Sequence, residues 1–207
     1  MLKYRLIFEK TDSAVFVSHL DTMRTLQRVF RRADIPVKYS QGFNPHPIMS
    51  IVLPLSVGQS SICEVLDFES ESALNLKELP PRLTPFCPRG IRITDARLAL
   101  GKPAAIKWVE VTGTLYGLTQ SSDIAAICAS DAAVTKKTKK GELNLTLSEC
   151  VRQPELSANA DGTHTLRLFI SAQEPSFNPE LLGQVLGYGR AEYTRLSLRT
   201  EVFDIWL

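Results

Sequence analysis

Arginine side chains are concentrated in one short segment near the start of the chain, at Arg24, Arg28, Arg31 and Arg32. If the segment is an α-helix, Arg24, Arg28 and Arg32 form a row with steps of roughly 6 Å, because a helix rises about 1.5 Å per residue. Guanidinium groups bind phosphate oxygens through paired hydrogen bonds, so the row indicates a phosphate-binding surface for nucleic acid. The alternative is a solvated helix face, although few acidic residues in the segment balance the arginines.

Residues 39–47 form an unusual loop with the sequence Tyr-Ser-Gln-Gly-Phe-Asn-Pro-His-Pro. Glycine permits a positive φ, and the two prolines stiffen the chain after it. Such a loop suits single-stranded RNA, because rings stack on bases and amides hydrogen-bond to base edges. Alternatively, Tyr39 and Phe43 fix the loop to the core. The candidate recognition residues are Tyr39, Gln41, Gly42, Phe43, Asn44 and His46.

Two histidines in the same region, His19 and His46, are candidate acid–base groups, because imidazole titrates near neutral pH. Two histidines suffice in principle for RNA cleavage without a metal, but nothing in the sequence places these two together. The run Ser18-His19-Leu20-Asp21 is not a catalytic triad, because neighbouring residues at a helix start point in different directions. We interpret Ser18 and Asp21 as helix-capping residues instead.

Two further segments are basic or rich in glycine. Residues 136–140 read Lys-Lys-Thr-Lys-Lys, which predicts an exposed loop or, if it lies beside the arginine row, an extension of a nucleic-acid groove. Gly183, Gly187 and Gly189 lie between the last predicted helix and the last strand. They lack the context of a dinucleotide or P-loop motif, so we interpret them mainly as helix terminators, with a backbone-lined phosphate contact as the alternative.

The sequence contains no local metal-binding motif. Its cysteines are at least 22 residues apart and form no CxxC pair. The first residues lack the apolar core of a signal peptide, and no apolar run reaches the roughly 20 residues that span a bilayer. We therefore expect a cytoplasmic protein with reduced thiols and no metal of its own. The cysteines are Cys63, Cys87, Cys128 and Cys150.

The net charge hides an uneven distribution. The 207 residues carry a formal charge of +2, with 44% hydrophobic and 22% charged residues, which excludes a wholly disordered or coiled-coil chain. Residues 1–50 contain eight Lys and Arg against four Asp and Glu, a net charge of +4. Residues 51–102 are balanced and the remainder is net −2. A local basic surface in the first fifty residues is therefore a candidate binding site for an anionic partner.

The elements predicted for the first half follow a β-α-β-β-α-β order. Alternation predicts a strand at 2–9 with a basic outer face, and a capped helix follows up to about Ala33, with an apolar stripe formed by Leu20, Met23, Leu26, Phe30 and Ala33. Strands are predicted at 50–57 and 61–70, a short helix at 75–79 that Pro80-Pro81 ends, and a strand at 91–99. This order is that of a ferredoxin-like module, for which we set the bounds 1–102.

A similar order returns in residues 103–207. We predict strands at 106–116, 165–172 and 196–205, helices at 121–130 and from Asn178 to Gly187, and a strand or extended segment at 143–151. The sequence therefore predicts an α+β protein of two tandem ferredoxin-like modules.

Several of these segments belong to one longer pattern. It begins with Phe16-Val17-Ser18-His19-Leu20-Asp21, the arginine-rich helix and residues 39–47, and continues through Leu-Pro-Leu-Ser-Val-Gly at 53–58, then Glu64, Asp67, residues 178–182 and Arg195. Over nearly the full length it resembles a bacterial family of unknown function associated with radical SAM proteins. In that family the domain occurs alone or at the C-terminus of a cobalamin-binding-type radical SAM protein, and its gene tends to lie near ribonuclease G and ribosomal-protein genes.

The resemblance implies an association and not a reaction. It favours a non-catalytic accessory protein that presents RNA or a ribosome-linked component to a radical SAM partner. S-adenosylmethionine, an iron–sulfur cluster and possible cobalamin are then expected only on the partner, since this sequence lacks a CxxxCxxC triplet. Two alternatives remain open: a metal-independent endoribonuclease using His19 or His46, and a subunit that binds only protein.

Overall fold

The computed structural model describes residues 2–118, 123–139 and 141–206. The chain divides into two compact units, Met1–Pro103 (unit 1) and Ala104–Leu207 (unit 2). Each unit combines an antiparallel sheet with short helices, so the predicted α+β class is confirmed.

Unit 1 is built on an antiparallel sheet with the strand order β4-β1-β3-β2. Its elements are β1 (Leu2–Lys10), α1 (His19–Arg32), β2 (Met49–Val52), β3 (Ser60–Ser70), α2 (Leu79–Leu83) and β4 (Ile91–Leu98). Two 3-10 turns, Asp12–Phe16 and Thr84–Phe86, precede α1 and follow α2. The strand predicted at 50–57 is thus much shorter, because the chain leaves the sheet after Val52.

The central strand β1 is buried on both faces. Leu6 and Phe8 are fully buried in the main core, as the alternation predicts. The predicted basic outer face is wrong at Arg5, which is only 4% exposed and binds Asp67 of β3 through two hydrogen bonds of 2.7 and 2.8 Å. A central strand has neighbours on both sides, so a charge at this position requires a paired carboxylate.

Helix α1 begins where its cap residue predicts. The Oγ of Ser18 accepts the backbone N–H of Asp21 at 3.2 Å, which satisfies one of the free amides of the first turn. Leu26 and Phe30 pack into the core, where the Phe30 ring meets Phe68 edge-on at 4.9 Å. The predicted apolar stripe is wrong at Leu20, which is 63% exposed at the helix start.

The cap of α1 gives a testable stability effect. Ser18→Ala is expected to lower the free energy of unfolding by about 1 kcal/mol, because the Asp21 amide loses its acceptor. Chemical denaturation measures the change, with Ser13→Ala as a matched substitution at an exposed serine outside α1. Equal effects of the two substitutions would show that Ser18 contributes nothing as a cap.

The second helix of unit 1 starts later than predicted. Instead of ending a helix at Pro80-Pro81, the chain places both prolines in the first turn of α2, where a missing N–H costs nothing. Leu79 and Leu83 anchor the helix in the core. Arg82 then donates to the backbone oxygens of Ala33 and Asp34 at 2.9 and 2.8 Å, which ties α2 to the end of α1.

Unit 2 contains a four-stranded antiparallel sheet with the order β10-β5-β9-β8 and a separate hairpin, β6–β7. Its strands are β5 (Trp108–Tyr116), β6 (Ala133–Thr138), β7 (Gly141–Thr146), β8 (Val151–Ala158), β9 (His164–Ser171) and β10 (Arg190–Arg199). Its helices are α3 (Ile124–Ala129), α4 (Leu147–Cys150) and α5 (Gly183–Leu186), the last preceded by a 3-10 turn at Pro179–Leu182. The helix predicted at 121–130 is shorter, since Asp123 caps it, and residues 121 and 122 lie outside the described part.

Three predictions for unit 2 require correction: the strand at 143–151, the lysine loop and the position of the last strand. The segment 143–151 is not one strand, because α4 interrupts it where Leu147 and Cys150 are fully buried. The lysine segment is not a loop but runs into β6 as far as Thr138, and Lys140 lies outside the described residues.

The last strand is β10 rather than 196–205. A close approach fixes its position: a Cβ on Gly113 of β5 would lie 2.4 Å from the Tyr193 ring of β10, so only glycine fits opposite this tyrosine. Gly187, with φ +68°, ends α5 as predicted and turns the chain toward this strand.

Candidate nucleic-acid interface

The four arginines of α1 all lie on the exposed side of the helix: Arg24, Arg28, Arg31 and Arg32. Arg24 donates to the Asp21 carboxylate at 3.1 Å. Hydrogen bonds from Ser18 and Arg24 lower the pKa of Asp21. Within the described part of the chain, no carboxylate forms an ion pair with Arg28, Arg31 or Arg32. These three guanidinium groups are therefore open to an anionic ligand.

Two of the other cations in the first fifty residues serve the fold of unit 1. Arg5 is paired with Asp67. Lys10 is 3% exposed and donates to the backbone oxygens of Val15 at 3.3 Å and Val17 at 2.9 Å. Their charges are internal to the unit, so they add little to a binding surface.

Glu69 holds two more of these cations. Its carboxylate lies 3.2 Å from Lys38 and 3.4 Å from Lys3. The hydrogen bond from Lys38 is the main cause of its lowered pKa. The positive excess that remains without an acidic partner in the first fifty residues is thus concentrated on α1.

The loop at residues 39–47 is closed at its base by backbone and side-chain hydrogen bonds. Tyr39 and Pro47 form an isolated β-bridge, and the Ser40 N–H donates to the His46 oxygen at 2.8 Å. The backbone N–H of His46 donates to Ser40 Oγ at 3.1 Å, and Nδ1 of the His46 ring lies 2.9 Å from the same oxygen. The loop therefore has a fixed base next to the edge strand β2.

The tip of this loop projects into solvent. Phe43 is fully exposed, so the interpretation that it fixes the loop to the core is wrong. Gly42 has φ +130°, a conformation that favours glycine over other residues. Gln41 and Asn44 are also exposed. The ring and the two amides at the tip are thus available for contact with a ligand.

Cavities lie on both flanks of the arginine row. One, of about 200 Å³, is lined by Arg31 of α1 and by Tyr39 and Pro47 at the loop base. The other, of about 480 Å³, is lined by Arg28 and Arg32 and by the segment 85–88. Arg31 therefore lies beside the base of the loop, whereas Arg28 and Arg32 line the cavity on the other flank of α1.

Sequence reasoning missed the segment 85–88, which reads Pro-Phe-Cys-Pro. Phe86 is 39% exposed on the wall of the larger cavity. An aromatic ring between prolines also occurs in the 39–47 loop, and this shared composition was the available signal. Burial raises the pKa of the Cys87 thiol to about 11, which keeps it protonated and unreactive at neutral pH.

The two candidate histidines lie toward opposite ends of α1. His19 is its first residue, whereas the loop base lies beside Arg31, about 18 Å further along the helix axis. His46 lines a separate cavity of about 270 Å³ with Lys3 and Glu69. The placement gives no shared acid–base site for RNA cleavage.

The lysines of residues 136–139 in unit 2 differ in their surroundings. Lys136 Nζ donates to the backbone and side-chain oxygens of Ser176 at 2.6 and 2.8 Å, so it fixes β6 locally. Lys137 and Lys139 are exposed.

Among the described residues, no group of three His, Cys, Asp or Glu side chains is arranged to hold a metal ion. Over the same residues, no helix has both the length and the apolar character needed to span a membrane.

Fold and surface together define an α+β protein with a basic helix next to an exposed aromatic loop. The chain belongs to a family described as "Uncharacterized protein conserved in bacteria (DUF2344)", which matches residues 3–179. A comparison with curated proteins finds no match.

Two solved structures show a distant similarity to the chain. A chain of "Crystal Structure of a Cbf5-Nop10-Gar1 Complex" is 10% identical with a TM-score of 0.48; the match covers 97% of this chain and 50% of that one. The present chain thus spans about half the length of that chain. An encapsulated DyP-type peroxidase from Mycobacterium smegmatis is also 10% identical, with a TM-score of 0.24 and coverage of 96% and 91%.

Proposed function

We propose that the protein is an RNA-binding accessory protein that presents its RNA to a radical SAM enzyme. The observation that supports RNA binding is the set of three exposed arginines without an ion-pair partner on α1, of which Arg31 lies beside the base of the loop at 39–47. Arginine forks bind phosphate, and exposed rings and amides contact bases. The radical SAM partner is supported only by the sequence resemblance, and the reaction would be RNA or ribosome-linked modification.

We also propose that both units are ferredoxin-like. In unit 1, the strands in chain order are β1, β2, β3 and β4, and their order in the sheet is 4-1-3-2. In unit 2, β5, β8, β9 and β10 follow the same order once the β6–β7 hairpin is treated as an insertion. Cross-strand contacts of β1 with β3 and of β5 with β9, measured by NMR, test this assignment; a parallel pairing would exclude it.

RNA binding is tested with a triple variant and a matched control. The variant replaces Arg28, Arg31 and Arg32 with glutamine, which removes three charges and keeps a helix-compatible side chain. We expect affinity for cellular RNA in filter binding to fall about tenfold or more. The slope of log affinity against log salt should decrease by about 2, because each lost phosphate contact removes about 0.7 for single strands.

The control replaces three other exposed arginines of unit 1, Arg89, Arg92 and Arg97, with glutamine. They have carboxylate partners at 3.7, 2.7 and 2.7 Å and lie outside α1. Exposed ion pairs contribute about 0–1 kcal/mol each, so the control keeps the fold and removes the same charge. Equal loss of affinity in both variants would show that general charge, not α1, binds RNA. No binding, or RNA cleavage in EDTA, would also contradict an accessory RNA-binding role.

The radical SAM partnership needs its own experiment. Affinity purification from the native host, followed by mass spectrometry and RNA sequencing, identifies bound protein and bound RNA separately. Recovery of a radical SAM protein with the tagged chain is the expected result. Recovery of RNA alone would leave the RNA-binding role intact and exclude a stable complex with such an enzyme.

A further inference from the structure

The smaller cavity beside α1 has the features of a site for one planar ring. Its volume of about 200 Å³ is below the roughly 300–1,000 Å³ of pockets for drug-sized ligands. Phe30, Ile35 and Val37, each at most 8% exposed, supply an apolar floor. A site of this size and lining suits a single ring system rather than a base pair.

Polar and charged groups stand at the rim of this cavity. Gln27 and Arg31 are four residues apart on α1 and therefore lie on the same helix face. The Gln27 amide can both donate and accept a hydrogen bond, and the Asp34 carboxylate accepts. Arg31 has no ion pair among the described residues, so its guanidinium can bind a phosphate beside the ring.

Tyr39 supplies the stacking wall. The residue is 41% exposed, while its backbone is held by the bridge to Pro47. The bridge thus holds the backbone from which the ring extends, the ring stays accessible, and Pro47 lines the same cavity. A planar heterocycle entering the cavity would meet an aromatic face, an amide and a cation within one small site.

We propose that this cavity binds an unpaired RNA base, with the base against Tyr39 and its phosphate on Arg31. This inference rests on the proposed RNA-binding function and specifies its substrate as single-stranded RNA. Paired bases are inaccessible here, because an A-form duplex has a deep, narrow major groove and keeps its base faces stacked. An unpaired base can leave the stack, enter the cavity and gain the stacking interaction.

The test compares single-stranded and duplex RNA of the same sequence. The single strand carries one 2-aminopurine, whose fluorescence falls when it stacks on an aromatic ring. We expect wild type to bind the single strand at least tenfold more tightly than the duplex and to quench the probe. Tyr39→Ala should lose about tenfold or more in single-strand affinity and most of the quenching, whereas Tyr39→Phe should keep both.

The outcomes separate this inference from the proposed function. Equal binding of single strand and duplex, or unchanged binding and quenching in Tyr39→Ala, overturns the base site. If that RNA binding still depends on salt and on the α1 arginines, the RNA-binding function stands without the base site. If neither RNA binds, the proposed function itself fails. Circular dichroism of Tyr39→Ala serves as the control for unfolding. We expect a spectrum like that of wild type, because the backbone bridge to Pro47 does not need the tyrosine ring.

Discussion

Asp67→Ala is expected to lower the free energy of unfolding by about 3–5 kcal/mol. Asp67 neutralises Arg5, whose side chain is 4% exposed on the central strand β1. The two groups share two hydrogen bonds of 2.7 and 2.8 Å, and Arg5 also donates to the Gly101 oxygen at 2.9 Å. Without the carboxylate, a buried guanidinium keeps its full charge in a poorly solvated place, which is far more costly than losing an exposed ion pair.

Urea denaturation of wild type and variants measures this difference. Asp95→Ala is the matched control, because Asp95 pairs with Arg97 where both side chains are about half exposed, and we expect a loss of about 1 kcal/mol or less. The double variant Arg5→Leu with Asp67→Leu should recover much of the stability, since it removes the buried charge of Arg5 together with its partner. A loss for Asp67→Ala no greater than that for Asp95→Ala would refute the structural importance of the buried pair.

The start of α1 was predictable because its determinants are local. Ser18 immediately precedes the helix and accepts the amide of Asp21, only three residues later in the sequence. The core positions Leu26 and Phe30 follow the helical spacing in the same way. Leu20 has the same spacing but lies exposed at the helix start, because periodicity does not show where the sheet below a helix ends.

The binding surface was only partly predictable, because it depends on distant contacts. The sequence located the positive excess in the first fifty residues, but it did not show which cations are neutralised. Arg5 meets Asp67 across 62 positions, and Lys38 meets Glu69 across 31. Composition counts these cations together with Arg31, whereas the fold removes them from the surface and leaves α1 as the basic face.

The cavities beside α1 also depend on contacts between residues that are distant in the sequence. Tyr39 and Arg31 were predicted as separate candidates, one in a loop and one in a helix row. Packing of the loop base against the end of α1 places them in one cavity. The composition of residues 85–88 could have marked Phe86 as a candidate, but its site is created by the approach of this segment to Arg28 and Arg32. No local pattern encodes such an approach.

In unit 2, the buried carboxylate of Glu110 is the centre of a charge cluster. Its side chain is 4% exposed, and it accepts hydrogen bonds from Arg167, from Ser197 Oγ at 2.5 Å and from Arg199 at 2.9 Å. Burial raises the pKa of this carboxyl, but the hydrogen bonds from Ser197, Arg199 and Arg167 outweigh it and lower the pKa from 4.5 to about 2. The folded protein therefore holds Glu110 ionised at a pH where the unfolded chain binds a proton.

A depressed folded-state pKa has a definite consequence for stability. The contribution of Glu110 is fully present above its unfolded pKa of about 4.5 and is lost as the pH falls toward 2. One pKa unit corresponds to about 1.4 kcal/mol, so the contribution is about 3 kcal/mol at pH 7. Glu110→Gln should therefore destabilise the protein by about this amount at pH 7 and by much less at pH 2.

Denaturant unfolding at a series of pH values from 2 to 7 distinguishes this effect from general acid sensitivity. Glu192→Gln is the control, because Glu192 pairs with Arg190 where both side chains are more than half exposed, and it should leave the pH dependence nearly unchanged. Parallel pH curves for wild type and Glu110→Gln would contradict the lowered pKa. A reduced pH dependence in Glu110→Gln alone would instead identify this carboxylate as a main source of acid sensitivity in the fold. Its charge is stabilised only in the folded state, where the pairing of β5 with β9 and β10 brings Arg167, Ser197 and Arg199 to it.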